Sequence, residues 1–433
     1  MPRPSPFITG RVVPPEQFFG RRRERNSAVS LISTGQSLAF TGDPRIGKTS
    51  LLHYLASPHC QDLHEPEDRQ RLFVYLDSQT WPDEFTPSRF WKRALQPLEQ
   101  AFSRSEAPAD LQTALRTAAE EGYATFVLER LLAQMRTAGW QLVLLLDEFD
   151  TLLEHPMLQR TEFYGGLRSL ASRYGEALTL VLAARRSLSE LNEATRAYSR
   201  LGSPFFNFVR EVPLSSCSKT ACENLLKKVA PHFTPRERAL LWSLTGGFPY
   251  LLQIAGDALW HAHEDGSDAM EVWESVALDL LRAADDGLRV VWRHWTPDMR
   301  KVFVALALSA NQGRVGRRNF DHQALRKILD DAPRALRELR TRGYVCRDEQ
   351  DRLGHAITAW VLEWWALEHL LEAARQNDDL GQWLGREEWL GVLKRRELNA
   401  LGKPLRALGQ WLDKAGLTFA EAWARELARQ AGG

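Results

Sequence analysis

Eight consecutive residues, Gly42-Asp43-Pro44-Arg45-Ile46-Gly47-Lys48-Thr49, carry the spacing of a phosphate-gripping loop: two glycines with four residues between them, then a lysine and a hydroxyl. Gly42 and Gly47 let the backbone curl until its N–H groups aim at phosphate oxygens. The helical pattern that follows, from Ser50 to Leu55, adds the positive end of its dipole. Lys48 is placed to reach the β- and γ-phosphates of a nucleotide, and Thr49 to offer its hydroxyl to Mg²⁺. Asp43, Pro44, Arg45, Ile46 and Ser50 complete the lining of the expected site. Downstream, the run Gln141-Leu-Val-Leu-Leu-Leu-Asp147-Glu148-Phe149-Asp150 is apolar until it meets its acids. Asp147, at the end of such a run, would hold Mg²⁺ through water. Glu148 would then polarise the attacking water. Loop and acid pair together predict binding and hydrolysis of a purine nucleotide.

These residues need strands and helices to bring them together. Candidate strands fall at 36–41, 72–77, 141–147, 178–184 and 207–213, with helical stretches between them. Continuous apolar runs such as 141–146 and 178–184 are what parallel strands covered on both faces look like. The pattern predicts an α/β P-loop core with a five-stranded parallel sheet. The stretch 80–138 is long for one crossover and reads as two or more helices. From 218 to 262 the strand signals cease, and an all-α subdomain is expected. Between 296 and 360, three helices and a hairpin make a winged-helix pattern. The expected divisions are an extended Pro-rich segment at 1–16, the ATPase core at 17–216, a helical lid and connector at 217–295, the winged helix at 296–376 and a helical tail at 377–433.

Composition narrows the functional classes. The chain has 433 residues, 44% hydrophobic and 26% charged, enough for two to four domains with sizeable cores. A formal net charge of +1 gives no global pull toward nucleic acid or anionic lipid. Cys60, Cys217, Cys222 and Cys346 have no zinc-site spacing and fit reduced thiols in a cytosol. No apolar leader opens the chain and no run approaches 18 apolar residues, so a cytoplasmic protein with no membrane span is expected.

The order of parts resembles a family. Phe18-Phe19-Gly20-Arg21-Arg22-Arg23-Glu24 matches the hhGRxxE entry motif of STAND and related AAA+ ATPases, and the P-loop, the Asp-Glu strand, Arg185-Arg186 at a strand end and Gly246-Gly247-Phe248-Pro249 follow in that family's order. The chain is similar to STAND-type ATPases of the branch that also looks like origin-recognition AAA+ proteins, over about residues 17–365. The resemblance implies ATP/ADP as the nucleotide and a sensor strand inserted between the P-loop strand and the Asp-Glu strand. It places Gly20 and Arg21 near the adenine and ribose edge, and Arg186, or Arg185, close to the γ-phosphate. It puts Pro249 against the base, and Arg200 where an arginine finger acts. Plainer readings stand beside these: a solvated basic run for 21–23, a strand cap for 185–186, a structural turn at Arg200, and a helix start at Pro249. The lid shows no placeable sensor arginine, which favours a switch over ring-type hydrolysis.

The winged-helix stretch 311–342 holds nine basic residues and four acids, with Arg334, Arg337 and Arg340 recurring every three residues on one helix face. Such a face suits duplex DNA, while Asp348, Glu349 and Asp351 in the wing repel phosphate and favour an internal or protein-binding role. Trp389, Val392, Leu393, Trp411 and Leu412 form apolar stripes in the tail, read as core or as a docking platform for a separate effector. No recognisable effector domain is fused. The expectation is therefore a slow, Mg-dependent ATPase switch in signalling or conflict defence, acting through a partner protein or through self-assembly on ATP binding. The alternative is a DNA-binding loader or transposition helper.

Overall fold

Three strands of the computed structural model are buried along their whole length: β1 (Leu38–Thr41), β3 (Trp140–Asp147) and β4 (Leu178–Ala184). These are the sequence's continuous apolar runs, and they lie inside the sheet because both faces are covered. β2 (Gln70–Asp77) and β5 (Arg210–Pro213) are more exposed and form the two edges. The order is β2-β3-β4-β1-β5, every pairing parallel. β4 thus lies between the P-loop strand and the Asp-Glu strand, as the family resemblance implied. The structure describes residues 4–60, 63, 69–104, 107–196, 204–310, 322–376 and 419–432.

The chain divides into two units, one of residues 12–43 and 47–214, the other of 1–11, 44–46 and 215–433. In the first, α1 (Arg22–Ser33) leads to β1 and α2 (Lys48–Ala56) leaves the P-loop. The β2–β3 crossover contains α3 (Pro87–Arg104), α4 (Ala109–Glu120) and α5 (Thr125–Thr137). Their apolar stripes, among them Phe90, Leu98, Leu115 and Leu131, close over the sheet with Trp140 and Leu142. Helices α6 (Phe149–Glu154), α7 (Thr161–Arg173) and α8 (Leu188–Ala194) complete the unit. A buried polar clip fixes the strand starts: the Gln141 amide donates to the Ile32 carbonyl at 2.8 Å and to the Thr179 hydroxyl at 2.9 Å.

The turn from α1 into β1 depends on Gly35. Its φ is +71°, and a Cβ there would sit 2.6 Å from the Gly175 carbonyl carbon. Alanine would incur both the left-handed backbone cost and a clash with main chain that cannot rotate away. Gly35→Ala is expected to destabilise this unit by about 2–5 kcal/mol, measured as a lower chemical-denaturation midpoint at unchanged m-value.

In the second unit, α9 (Lys219–Val229), α10 (Pro235–Thr245) and α11 (Pro249–Asp265) form the expected all-α stretch. The 26-residue α12 (Ala269–His294) follows. Next come α13 (Pro297–Ala310), α14 (His322–Asp331) and α15 (Pro333–Thr341), then an antiparallel pair, β6 (Val345–Arg347) and β7 (His355–Ile357), and α16 (Trp360–Gln376). Trp292, Trp295, Phe303, Tyr344 and Trp365 form one aromatic cluster with centroids 4.9–6.2 Å apart, edge-to-face except for the tilted Trp292–Trp295 pair, and Trp295 and Trp365 are buried in it. Trp364 stacks on Trp423 of α17 (Phe419–Gly432). The tail stripes at Trp389, Val392, Leu393, Trp411 and Leu412 lie outside the described residues. No helix among the described residues is long and apolar enough to cross a membrane.

Candidate nucleotide site

The P-loop emerges from β1 and turns at Gly47, the N-cap of α2, where φ is +97°. A Cβ on Gly47 would meet no atom within 4 Å. Glycine is therefore required by the backbone angle, and space is left for a ligand to approach. Lys48 is 5% exposed, and its ammonium donates to the carbonyls of Gly42 at 2.8 Å and Asp43 at 3.1 Å. Burial lowers its pKa, opposed by the carboxylates of Glu148, Asp43, Asp150 and Asp147. A desolvated ammonium with two neutral acceptors and a third N–H to give suits an anionic phosphate.

Register brings the acids to the same end of the sheet. Asp77 at the end of β2 pairs in register with Asp147 at the end of β3. Asp147 is 2% exposed; one carboxylate oxygen accepts from the Tyr75 hydroxyl at 2.8 Å, the other from the Glu148 N–H at 3.0 Å. Burial, and then the Asp147 carboxylate, push the Tyr75 phenol far above its ordinary pKa. Tyr75 therefore stays protonated and keeps Asp147 oriented.

Glu148 adopts φ +48° as the N-cap of α6, a left-handed conformation costly for a side-chain-bearing residue and typical of functional sites. The Ser78 hydroxyl lies 2.8 Å and 2.6 Å from the carbonyl oxygens of Asp147 and Glu148 and braces this turn. The Arg185 guanidinium donates to one oxygen of the Glu148 carboxylate, from Nε at 3.1 Å and Nη2 at 2.9 Å. Asp150, 7% exposed, accepts from the backbone N–H of Arg185 at 2.6 Å and of Arg186 at 3.2 Å, locking the end of β4 beside the acid pair.

The structure thus gathers Lys48, Asp147, Glu148, Asp150 and Arg185. The Arg186 side chain turns instead to Glu154 at 2.5 Å and Asp150 at 3.8 Å, so Arg185 is the arginine of the pair that reaches Glu148. Arg21 is buried at the N-cap of α1 with φ +56°, directly after Gly20, and donates to Glu24 at 3.3 Å. Ser50 accepts from the Val13 N–H at 3.2 Å. Thr49 is the half-buried second residue of α2. Pro249 is the first residue of α11, and the glycines before it are required by the close approach of main chain from elsewhere in the fold. A Cβ on Gly246 would lie 2.8 Å from the Thr358 carbonyl group, and one on Gly247 2.3 Å from the Cys217 carbonyl oxygen. Arg200 lies outside the described residues. Sequence reasoning passed over Tyr75, Ser78 and Asp150; only Asp150 had a visible signal, in the Asp-Glu-Phe-Asp run itself.

Among the described residues no group of three or more His, Cys, Asp or Glu could cage a metal ion. Asp147 and Thr49 are the residues that could offer oxygens to a divalent ion bound with phosphate.

A parallel sheet with a glycine-curled loop leading from β1 into α2, and an acid pair ending a neighbouring strand, define a P-loop ATPase. Residues 31–191 match the family described as AAA domain. Among solved structures, the chain is similar to the Walker-type ATPase PABY2304 of Pyrococcus abyssi, at 16% identity and TM-score 0.49, covering 84% of this chain and 98% of that one. It is also similar to the ORC2 protein of Aeropyrum pernix in ADPNP–ADP complexes, at 16% identity and TM-score 0.46, covering 86% and 100%. A STAND protein with a tetratricopeptide repeat sensor from Pyrococcus horikoshii gives 17% identity and TM-score 0.36, covering 99% of this chain and 59% of that one. None of the curated proteins compared with the chain matches it.

Proposed function

We propose that this chain is a Mg²⁺-dependent ATP switch of the STAND type, with slow hydrolysis, acting in bacterial signalling or defence through a separate effector or through its own assembly. The observation that carries the reading is the hold of Arg185 on the Glu148 carboxylate. Lys48 binds phosphate and Asp147 with Thr49 holds the ion, but the group that must orient water is engaged elsewhere. Mg²⁺ would neutralise charge on the β- and γ-phosphates. Arg185, drawn toward a γ-phosphate, would release Glu148. ATP and ADP would then favour different states, as a switch requires. Gly20 and Arg21 would hold the base, and Arg200 would serve a neighbouring copy.

Limited proteolysis tests this. A non-hydrolysable ATP analogue and ADP, each with Mg²⁺, are expected to give different protection patterns, with turnover at or below the low end of ordinary enzymes, about 1 per second. Identical patterns would remove the switch. A second reading, a DNA-dependent AAA+ ATPase, draws on α15, where Arg334, Arg337 and Arg340 are exposed while Ala335 and Leu339 are buried. In that case α13–α15 with β6 and β7 would act as a winged helix on duplex, and duplex DNA would accelerate turnover.

A further inference from the structure

An open cavity of about 770 Å³ lies beside α1, lined by Arg22, Arg23, Asn26, Ser27, Ser30, Leu31, Gln36 and Arg210. Three of these eight residues are arginines and none is acidic. Arg22 and Arg23 stand at the start of α1 and Arg210 opens the edge strand β5; all three are exposed. None of the three has an ion-pair partner among the described residues. Their neighbours differ: Arg21 pairs with Glu24, and Arg25 lies over the Tyr54 ring at 4.7 Å. Glu211, next to Arg210, is engaged by the Thr41 hydroxyl at 2.7 Å.

We infer that this groove binds the phosphodiester backbone of duplex DNA, without reading its sequence. The ligand must be anionic, because the charged groups among the described lining residues are all guanidinium groups. It must offer phosphate-like oxygens, because Asn26, Ser27, Ser30 and Gln36 add short hydrogen-bonding groups between the arginines. It must be extended rather than a point anion. Residues 22 to 30 of a helix span about 12 Å, close to the rise of three or four base pairs along one strand. No aromatic side chain is among the described lining residues, so they offer no stacking platform of the kind that grips single strands. Polar contacts of this kind position a protein on a duplex and carry no base information. The inference does not depend on the nucleotide reading, since none of these residues belongs to the P-loop or the acid cluster.

Fluorescence anisotropy of a labelled 20-base-pair duplex, titrated with the full chain at 50 and 200 mM salt, tests it. Wild type should bind with an affinity that falls with salt. Arg22→Ala/Arg23→Ala/Arg210→Ala should weaken binding at least tenfold and reduce the slope of log K against log salt by about 2–3, from three lost phosphate contacts. The triple variant should retain its circular dichroism and its stabilisation by Mg-ATP, which separates a lost contact from a lost fold. Three results would overturn the inference: no duplex binding by wild type, an unchanged slope in the groove variant, or tighter binding of single-stranded RNA or short polyphosphate than of duplex. A variant at Arg334, Arg337 and Arg340 that alone abolishes binding would place the duplex on α15 and overturn it as well.

Discussion

Replacing Lys48 by methionine is expected to abolish stabilisation by Mg-ATP while leaving the ligand-free protein as stable as wild type or slightly more so. The two halves have one cause. In the ligand-free chain the ammonium is buried, its pKa is lowered by that burial, and its seen acceptors are two carbonyl oxygens. Methionine fills similar volume without a charge to desolvate. With nucleotide present the balance is expected to reverse, because the proposed site has the ammonium meeting the β- and γ-phosphates. Wild type at a ligand concentration 100-fold above Kd should gain about 2.7 kcal/mol, and Lys48→Met should gain almost none. A pH series adds a check of sign. A lysine whose folded pKa is depressed binds fewer protons folded than unfolded, so stability rises with pH between the lowered value and the ordinary 10.5. Ligand-free wild type should therefore gain on Lys48→Met as pH climbs from 7.5 toward 10. Thermal melts with and without Mg-ATP measure all of this. A retained nucleotide shift would remove Lys48 from the phosphate site. A fall of many degrees in the ligand-free variant would make it a structural residue.

Much of the core was legible because burial on both faces leaves an unbroken apolar trace. The runs ending at Asp147 and Ala184 became β3 and β4 with little change of boundary. The edge strand was less so. The expected strand from 207 begins at Arg210, because Phe205, Phe206 and Val209 enter the core from a turn before the pairing starts. That β4 inserts between β1 and β3 has no signature in periodicity and came only from the family resemblance. The site divides in the same way. The curl at Gly47 and the helix beginning at Lys48 are local, and eight residues suffice to encode them. The contacts that tune the chemistry join Tyr75 to Asp147 and Arg185 to Glu148, 72 and 37 residues apart. They exist only because sheet register sets one strand end beside another. The same limit explains Gly246 and Gly247: their neighbours, Thr358 and Cys217, are reachable only through tertiary structure.

Glu148→Gln should lower the rate of ATP hydrolysis by about 10²–10⁴-fold, the usual worth of a positioned general base, and leave nucleotide binding intact. Glutamine keeps the shape and can still accept from Arg185, so the left-handed turn and the Ser78 brace should survive. Arg185 then becomes the informative partner. Its pair with Glu148 is partly exposed, at 33% and 24% for the two side chains, so its strength is bounded near 1 kcal/mol. The hold can therefore slow basal turnover by about fivefold at most, and Arg185→Ala should raise it by no more than that. The rest of a slow rate must come from elsewhere, such as a residue donated by a neighbouring copy. Combining the two changes decides whether they act on one step. If Arg185 works by withdrawing the Glu148 carboxylate, Arg185→Ala should change turnover in wild type and have no effect in Glu148→Gln. Single-turnover hydrolysis by the four proteins closes the cycle. Equal fold-changes in both backgrounds would show that Arg185 acts independently of the base, and the latch would be discarded while the P-loop site stood.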